Sequence, residues 1–140
     1  VALGILVDGI TTFALLNAEA RQHLAEDVAT FVAIAGGRGQ IFAQRFGADA
    51  APMGNPFIIN QDQEDLPSLL HAERLIGNAG SLIARDDRQD MLLGDRATGD
   101  ISNAYRASLW GVTEPEPLYI RDADAKPQNS FALPRKPVLT

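Results

Sequence analysis

Residues 30 to 46, Thr-Phe-Val-Ala-Ile-Ala-Gly-Gly-Arg-Gly-Gln-Ile-Phe-Ala-Gln-Arg-Phe, constrain the fold of this chain more than any other stretch. Thr30 to Ile34 is a run of β-branched and aromatic side chains of the kind that suits a pleated, half-buried surface. From Gln40 to Phe46 polar and apolar residues alternate. A strand there places Ile41, Ala43 and Arg45 on one face and Phe42, Gln44 and Phe46 on the other. Between the runs lies Ala35-Gly-Gly-Arg-Gly, whose three glycines in four positions permit the positive φ of a tight reversal. The spacing predicts an antiparallel hairpin over 30–46.

The rest of the chain interleaves strand and helix signals around that hairpin. Gly4 to Ile10 reads as a short apolar strand ending near Asp8 and Gly9. Thr11 and Thr12 are placed to cap a helix carrying Phe13, Leu15, Leu16, Ala18 and Ala20 toward Leu24. Pro52 to Pro56 reads as a loop and Phe57-Ile-Ile as a strand. Asp62 to Leu70 reads as a helix with acidic residues in its first turn, where the helix dipole favours them. Arg74-Leu-Ile reads as a strand, Gly77-Asn-Ala-Gly80 as a turn, and Ser81 to Ala84 as helix. Asp86 to Asp90 is a solvated charge run, followed by the brief apolar segment Met91-Leu-Leu.

Asp100 to Trp110 shows the clearest amphipathic spacing. Ile101, Ala104, Tyr105, Ser108 and Leu109 fall at i, i+3, i+4, i+7 and i+8, which predicts one buried stripe with Asp100 as N-cap and Gly111 as the C′ stop. Pro115 and Pro117 forbid further helix. Leu118-Tyr-Ile reads as an edge strand, and residues beyond Asp122 as an extended, mobile tail. The sum is an α/β layered lobe with a mixed sheet and flanking helices.

Composition narrows the chemistry. The 140 residues are 46% hydrophobic and 21% charged, which favours one globular domain over disorder. There are no cysteines, so no disulfide framework, thiolate nucleophile or cysteine-based zinc site is available. The net charge of −6 argues against broad attraction to nucleic acid. His23 and His71 stand apart without metal-ligand spacing. Asp86, Asp87 and Asp90 alternate with Arg85 and Arg88, which is the pattern of a solvated surface. Ser68, Ser81 and Ser108 lack a nucleophile-elbow context. Gly77, Asn78 and Gly80 sit between a strand and a helix, where backbone N–H groups can meet an anion. The competing reading of the same turn is tight strand-to-helix packing. No catalytic set emerges, and no cofactor or metal is expected.

Four stretches, in order, carry a family resemblance: Gly9-Ile-Thr-Thr-Phe13, Phe31 to Gln44, Leu75-Ile-Gly-Asn-Ala-Gly80, and Pro117-Leu-Tyr-Ile-Arg-Asp-Ala-Asp-Ala-Lys-Pro-Gln128. They resemble the second lobe of the bacterial TsaB family, also called YeaZ. The resemblance implies a ribonuclease-H-like lobe of the actin, sugar-kinase and Hsp70 type. Residues 1–117 would form this lobe and 118–140 an edge segment and tail, with the family's first lobe absent. It implies a noncatalytic scaffold in the cytoplasm that supports threonylcarbamoyl transfer to adenosine in tRNA. The implied partners are a TsaD-like subunit, which carries the transfer, and a TsaE-like ATPase. Direct tRNA binding and membrane association are not expected. In the family, the first lobe is the one chiefly used to pair with TsaD. An exposed lobe without that neighbour is expected to self-associate. Where the family usually has Asp in the hairpin, this chain has Ala35. Tyr119, Arg121, Asp122 and Lys126 are the tail residues placed to meet a partner, against the alternative of a solvated extension. A glycoprotease-like hydrolase and an isolated nucleotide-binding lobe are the competing functions; the first lacks a positioned nucleophile or metal.

Overall fold

The computed structural model describes residues 9–25, 27–62, 65–71, 73–84, 86–113, 118 and 120. Its centre is a five-stranded mixed sheet in the order β3-β2-β1-β4-β5. β1 (Thr30–Gly37) and β2 (Gln40–Phe46) form the expected hairpin, paired from Thr30↔Phe46 through Gly37↔Gln40. Arg38 and Gly39 close it, both with φ above zero (55° and 71°), as a two-residue turn matched to the twist of its strands requires. β3 (Phe57–Asn60) continues the antiparallel meander on β2. On the other side of β1, β4 (Arg74–Ile76) and β5 (Leu92–Gly94) run parallel to it. Parallel neighbours need crossovers. A 3-10 turn over Leu66–Leu69 lies between β3 and β4. The short helix α2 (Gly80–Ile83) and a 3-10 segment over Asp86–Met91 join β4 to β5.

Each face of the sheet has its own core. On one, Phe31, Ile41, Ala43, Ile59 and Leu75 pack with Ile83 and Ala84 from the α2 side. Arg45 shares that face, as the alternation predicts, and is satisfied there. Its guanidinium lies 4.8 Å from the Phe31 ring centroid, and its Nε donates to Glu73 Oε1 at 3.0 Å. On the opposite face, helix α1 (Thr12–Gln22) sets Phe13, Leu16 and Ala20 against Val32, Phe46 and Ile76. Thr11 caps it by accepting from the Ala14 N–H at 3.1 Å. At its other end Arg21 donates to the carbonyls of Val28 and Gly47, both at 2.5 Å, tying the helix to the loops at the sheet's end. Burial pulls the Arg21 guanidinium below its usual pKa, an effect opposed by Asp27 and Asp49.

Three expectations need correction. Of the helix expected over Asp62–Leu70, the described residues form only the 3-10 turn Leu66–Leu69; Pro67 has no N–H to give to a longer helix, and Ser68 N–H bonds back to Asp65 O at 3.1 Å. The charge run at 86–90 lies in a 3-10 segment, Asp86–Met91, kinked at Arg88, with Gln89 and Asp90 exposed. The helix expected over Asp100–Trp110 divides into a 3-10 turn, Ile101–Asn103, and a single helical turn, α3 (Ala104–Ser108). Asp100 does cap it, accepting from Ser102 N–H at 2.9 Å. The strand expected at Gly4–Ile10 falls mainly outside the described residues, although Gly9 forms an antiparallel bridge with Thr113. Leu118 and Ile120 are not in a strand, yet Ile120 packs on the α1-side core.

Candidate functional site

The turn Gly77-Asn78-Ala79-Gly80 is fixed by its neighbours. Gly77 has φ +118°, and a Cβ there would collide with the carbonyl oxygen of Ala33 on β1. Ala79 N–H donates to that same oxygen at 3.1 Å, and Gly77 N–H donates to Gly94 O at 3.0 Å. Asn78 Oδ1 accepts from Ala35 N–H at 2.8 Å. The turn therefore clips β4 to β1 and β5, and packing accounts for the glycine at 77 without a ligand. The helix it opens, α2, is four residues long. The structure thus brings Asn78 to Ala35, the hairpin position singled out in the sequence.

Tyr119, Arg121, Asp122 and Lys126 lie outside the described residues. Among the described residues no group of three His, Asp or Glu side chains is placed to hold a metal ion, and His23 and His71 are both exposed on separate elements. No helix among them is long and apolar enough to cross a membrane.

The largest departure from the sequence reading is at α3. Ile101, Tyr105 and Leu109, expected to be buried, are 76%, 77% and 62% exposed. The buried side instead carries Asn103 and Ala107, and it faces α1, where Gln22 Nε2 donates to Asn103 Oδ1. Position 105 lies about 200° around the helix axis from 103, so seating 103 and 107 on α1 turns 101, 105 and 109 outward. The signal was present: the i, i+4 pair of Asn103 and Ala107, small enough for close helix contact, competes with the larger apolar stripe for the inner side. The result is a row of large apolar side chains held in water by a capped helical segment.

Two cavities open on the same side of the sheet, on either side of the Gly9–Thr113 bridge. One, of about 520 Å³, lies between the start of α1 and the half-buried Ile34 and Phe42 of the hairpin. The other, of about 310 Å³, lies among Gln44, Phe46, the loop Pro52 to Pro56, and the chain leaving α3. Among the described residues, neither is lined by an ionisable side chain.

This geometry can be set beside known proteins. No protein-family model matches the chain, and no curated protein matches it in sequence. Among solved structures, the fold is similar to that of an uncharacterized protein with similarity to peptidase YeaZ from Pseudomonas aeruginosa. The two share 15% identity with a TM-score of 0.54 over 80% of this chain. The chain spans 57% of the length of that protein. The likeness shows a YeaZ-like fold.

Proposed function

We propose that this chain is a TsaB-type scaffold lobe, a noncatalytic interaction module of a cytoplasmic tRNA-modifying assembly. In this reading the mixed sheet is a ribonuclease-H-like lobe of the actin-like class. Its partners are a TsaD-like subunit, which performs threonylcarbamoyl transfer, and a TsaE-like ATPase. The YeaZ-like fold supports the family. The observation that carries the scaffold role is the apolar row Ile101, Tyr105 and Leu109, kept in water on that fold. Contiguous exposed apolar side chains mark contact surfaces, and aromatic residues such as tyrosine are enriched among interface anchors. Charge is consistent with a protein partner: a net charge of −6 argues against broad attraction to tRNA.

The test is sedimentation and calorimetry of the chain with a purified TsaD-type subunit, with and without the TsaE-type ATPase. A complex is expected that Tyr105→Asp weakens tenfold or more while leaving thermal unfolding unchanged. Absence of any complex with the wild-type chain would sink the reading. Sedimentation of the chain alone shows whether the same row also drives self-association.

A further inference from the structure

The two sides of α1 are seats of different kinds. Leu15, Glu19 and Gln22 fall at i, i+4 and i+7, one stripe of the helix. The segment that runs from β5 into α3 meets all three. A Cβ at Gly99 would lie 2.7 Å from the carbonyl carbon of Leu15, so a glycine lets the segment lie this close to α1. Arg96 Nη1 donates to Glu19 Oε1 at 3.1 Å, and Gln22 Nε2 donates to Asn103 Oδ1. On its inner side α1 sets Phe13, Leu16 and Ala20 into the sheet core. On its outer side it is met by a glycine, two polar pairs and the buried methyl of Ala107.

The outer seat is the weaker of the two. Burial free energy follows apolar area, and the large apolar side chains of the segment, Ile101, Tyr105 and Leu109, are all exposed. The Glu19 side chain is 19% exposed, and its Oε2 is enclosed with no partner among the described residues, so its ion pair is half satisfied. α3 itself is five residues long, too short to persist without support. Opening free energies within one fold range from near zero to that of global unfolding, and they are lowest where few apolar contacts are buried. We propose that residues 96–109 form a strap that lifts from α1 as a unit while α1 and the sheet stay folded, so that the apolar row is one continuous surface only while the strap is seated. Gly99 and the Glu19–Arg96 pair are its fastening. The value of the row to a partner rests on the scaffold reading, whereas the opening belongs to the chain alone.

The chain has no cysteine, so a single introduced thiol reports opening at its own site. Ala107→Cys places one in the outer seat and Ala43→Cys one in the sheet core, at positions 1% and 0% exposed. Labelling by iodoacetamide should run at least about a hundredfold faster for Ala107→Cys than for Ala43→Cys, with a weaker urea dependence. Ile76→Val, between α1 and the sheet, should speed labelling of Ala43→Cys roughly two- to tenfold. It should leave Ala107→Cys unchanged, because its contacts survive the lifting of the strap. Arg96→Ala and Glu19→Gln should each speed labelling of Ala107→Cys roughly three- to tenfold, and Gly99→Ala should speed it further. Equal rates at the two thiols, or an Ile76→Val effect of the same size at both, would mean that the segment opens only with the whole fold and would overturn the strap. So would an effect of Arg96→Ala that Glu19→Gln does not share, since that guanidinium also acts on Asp100. If Ala107→Cys does not fold, hydrogen exchange at the amides of residues 104–110 against those of β1 and β2 makes the same comparison. Opening of this kind in a chain that binds no TsaD-type subunit keeps the strap and removes only the partner.

Discussion

Helices α1 and α3 pack against each other, yet they stand in opposite relations to water. α1 is enclosed between the sheet and the α3 segment; Phe13, Leu16, Asn17, Ala18 and Ala20 are all buried. Among the described residues, the helix α3 packs chiefly on is α1. α3 buries Ala107, with Asn103 just before it, and leaves Ile101, Tyr105 and Leu109 outside. Both are capped, α1 by Thr11 and the α3 segment by Asp100. The difference therefore lies in what surrounds them. A helix in the middle layer can satisfy apolar residues around most of its circumference. A helix in the outer layer has one inner side, and close approach gives that side to its small residues. What is left outside is free for another molecule.

The contrast can be tested by substitution, starting with the largest expected effect. Leu16→Ala, at a fully buried site, should cost about 2–5 kcal/mol and lower the melting temperature by roughly 10 °C. A loss below about 1 kcal/mol would mean that α1 is not the enclosed layer. Arg21→Leu removes charged hydrogen bonds to the Val28 and Gly47 carbonyls and should cost roughly 1.5–3 kcal/mol in urea unfolding. Thr11→Ala, which loses the cap, should cost about 1 kcal/mol.

The α3 side is expected to respond more weakly. The Ser102 N–H bond holds the Asp100 carboxyl below the usual carboxylate range. A depressed folded-state pKa stabilises above the unfolded value and is lost as pH falls through the folded one. Asp100→Asn should therefore melt slightly below wild type at pH 7, with the gap closing under acid conditions below about pH 4. A gap that widens on acidification would refute the capping role. Ile101→Ser and Tyr105→Ser should change stability by less than about 0.5 kcal/mol, as surface substitutions do. A larger loss at either would show the row covered within the chain and remove the basis for an interaction surface.

Local spacing made several elements legible. The two faces of β2, the glycine-rich hairpin turn, the Thr11 cap and the Asp100 cap each depend on residues within a few positions of one another, and each is found as read. The site was less legible because its determinants are distant in sequence. Gln44 was assigned correctly to the Phe42–Phe46 face, but its pocket needs Pro52, Pro56 and Trp110 to converge. At Gly77 to Gly80 both a ligand cradle and a packing turn were open. The packing partner is Ala33, 44 positions before Gly77, a contact that only the parallel β1–β4 pairing creates.

By itself, then, the sequence determined the hairpin, the start of each capped helix and an α/β lobe, because turn chemistry, capping and side-chain alternation act over a few residues. Tertiary structure decided which side of α3 meets water. A helical pattern records which residues are apolar; the side that becomes the inside depends on how closely a neighbour can approach, and here α1 is met by Asn103 and Ala107.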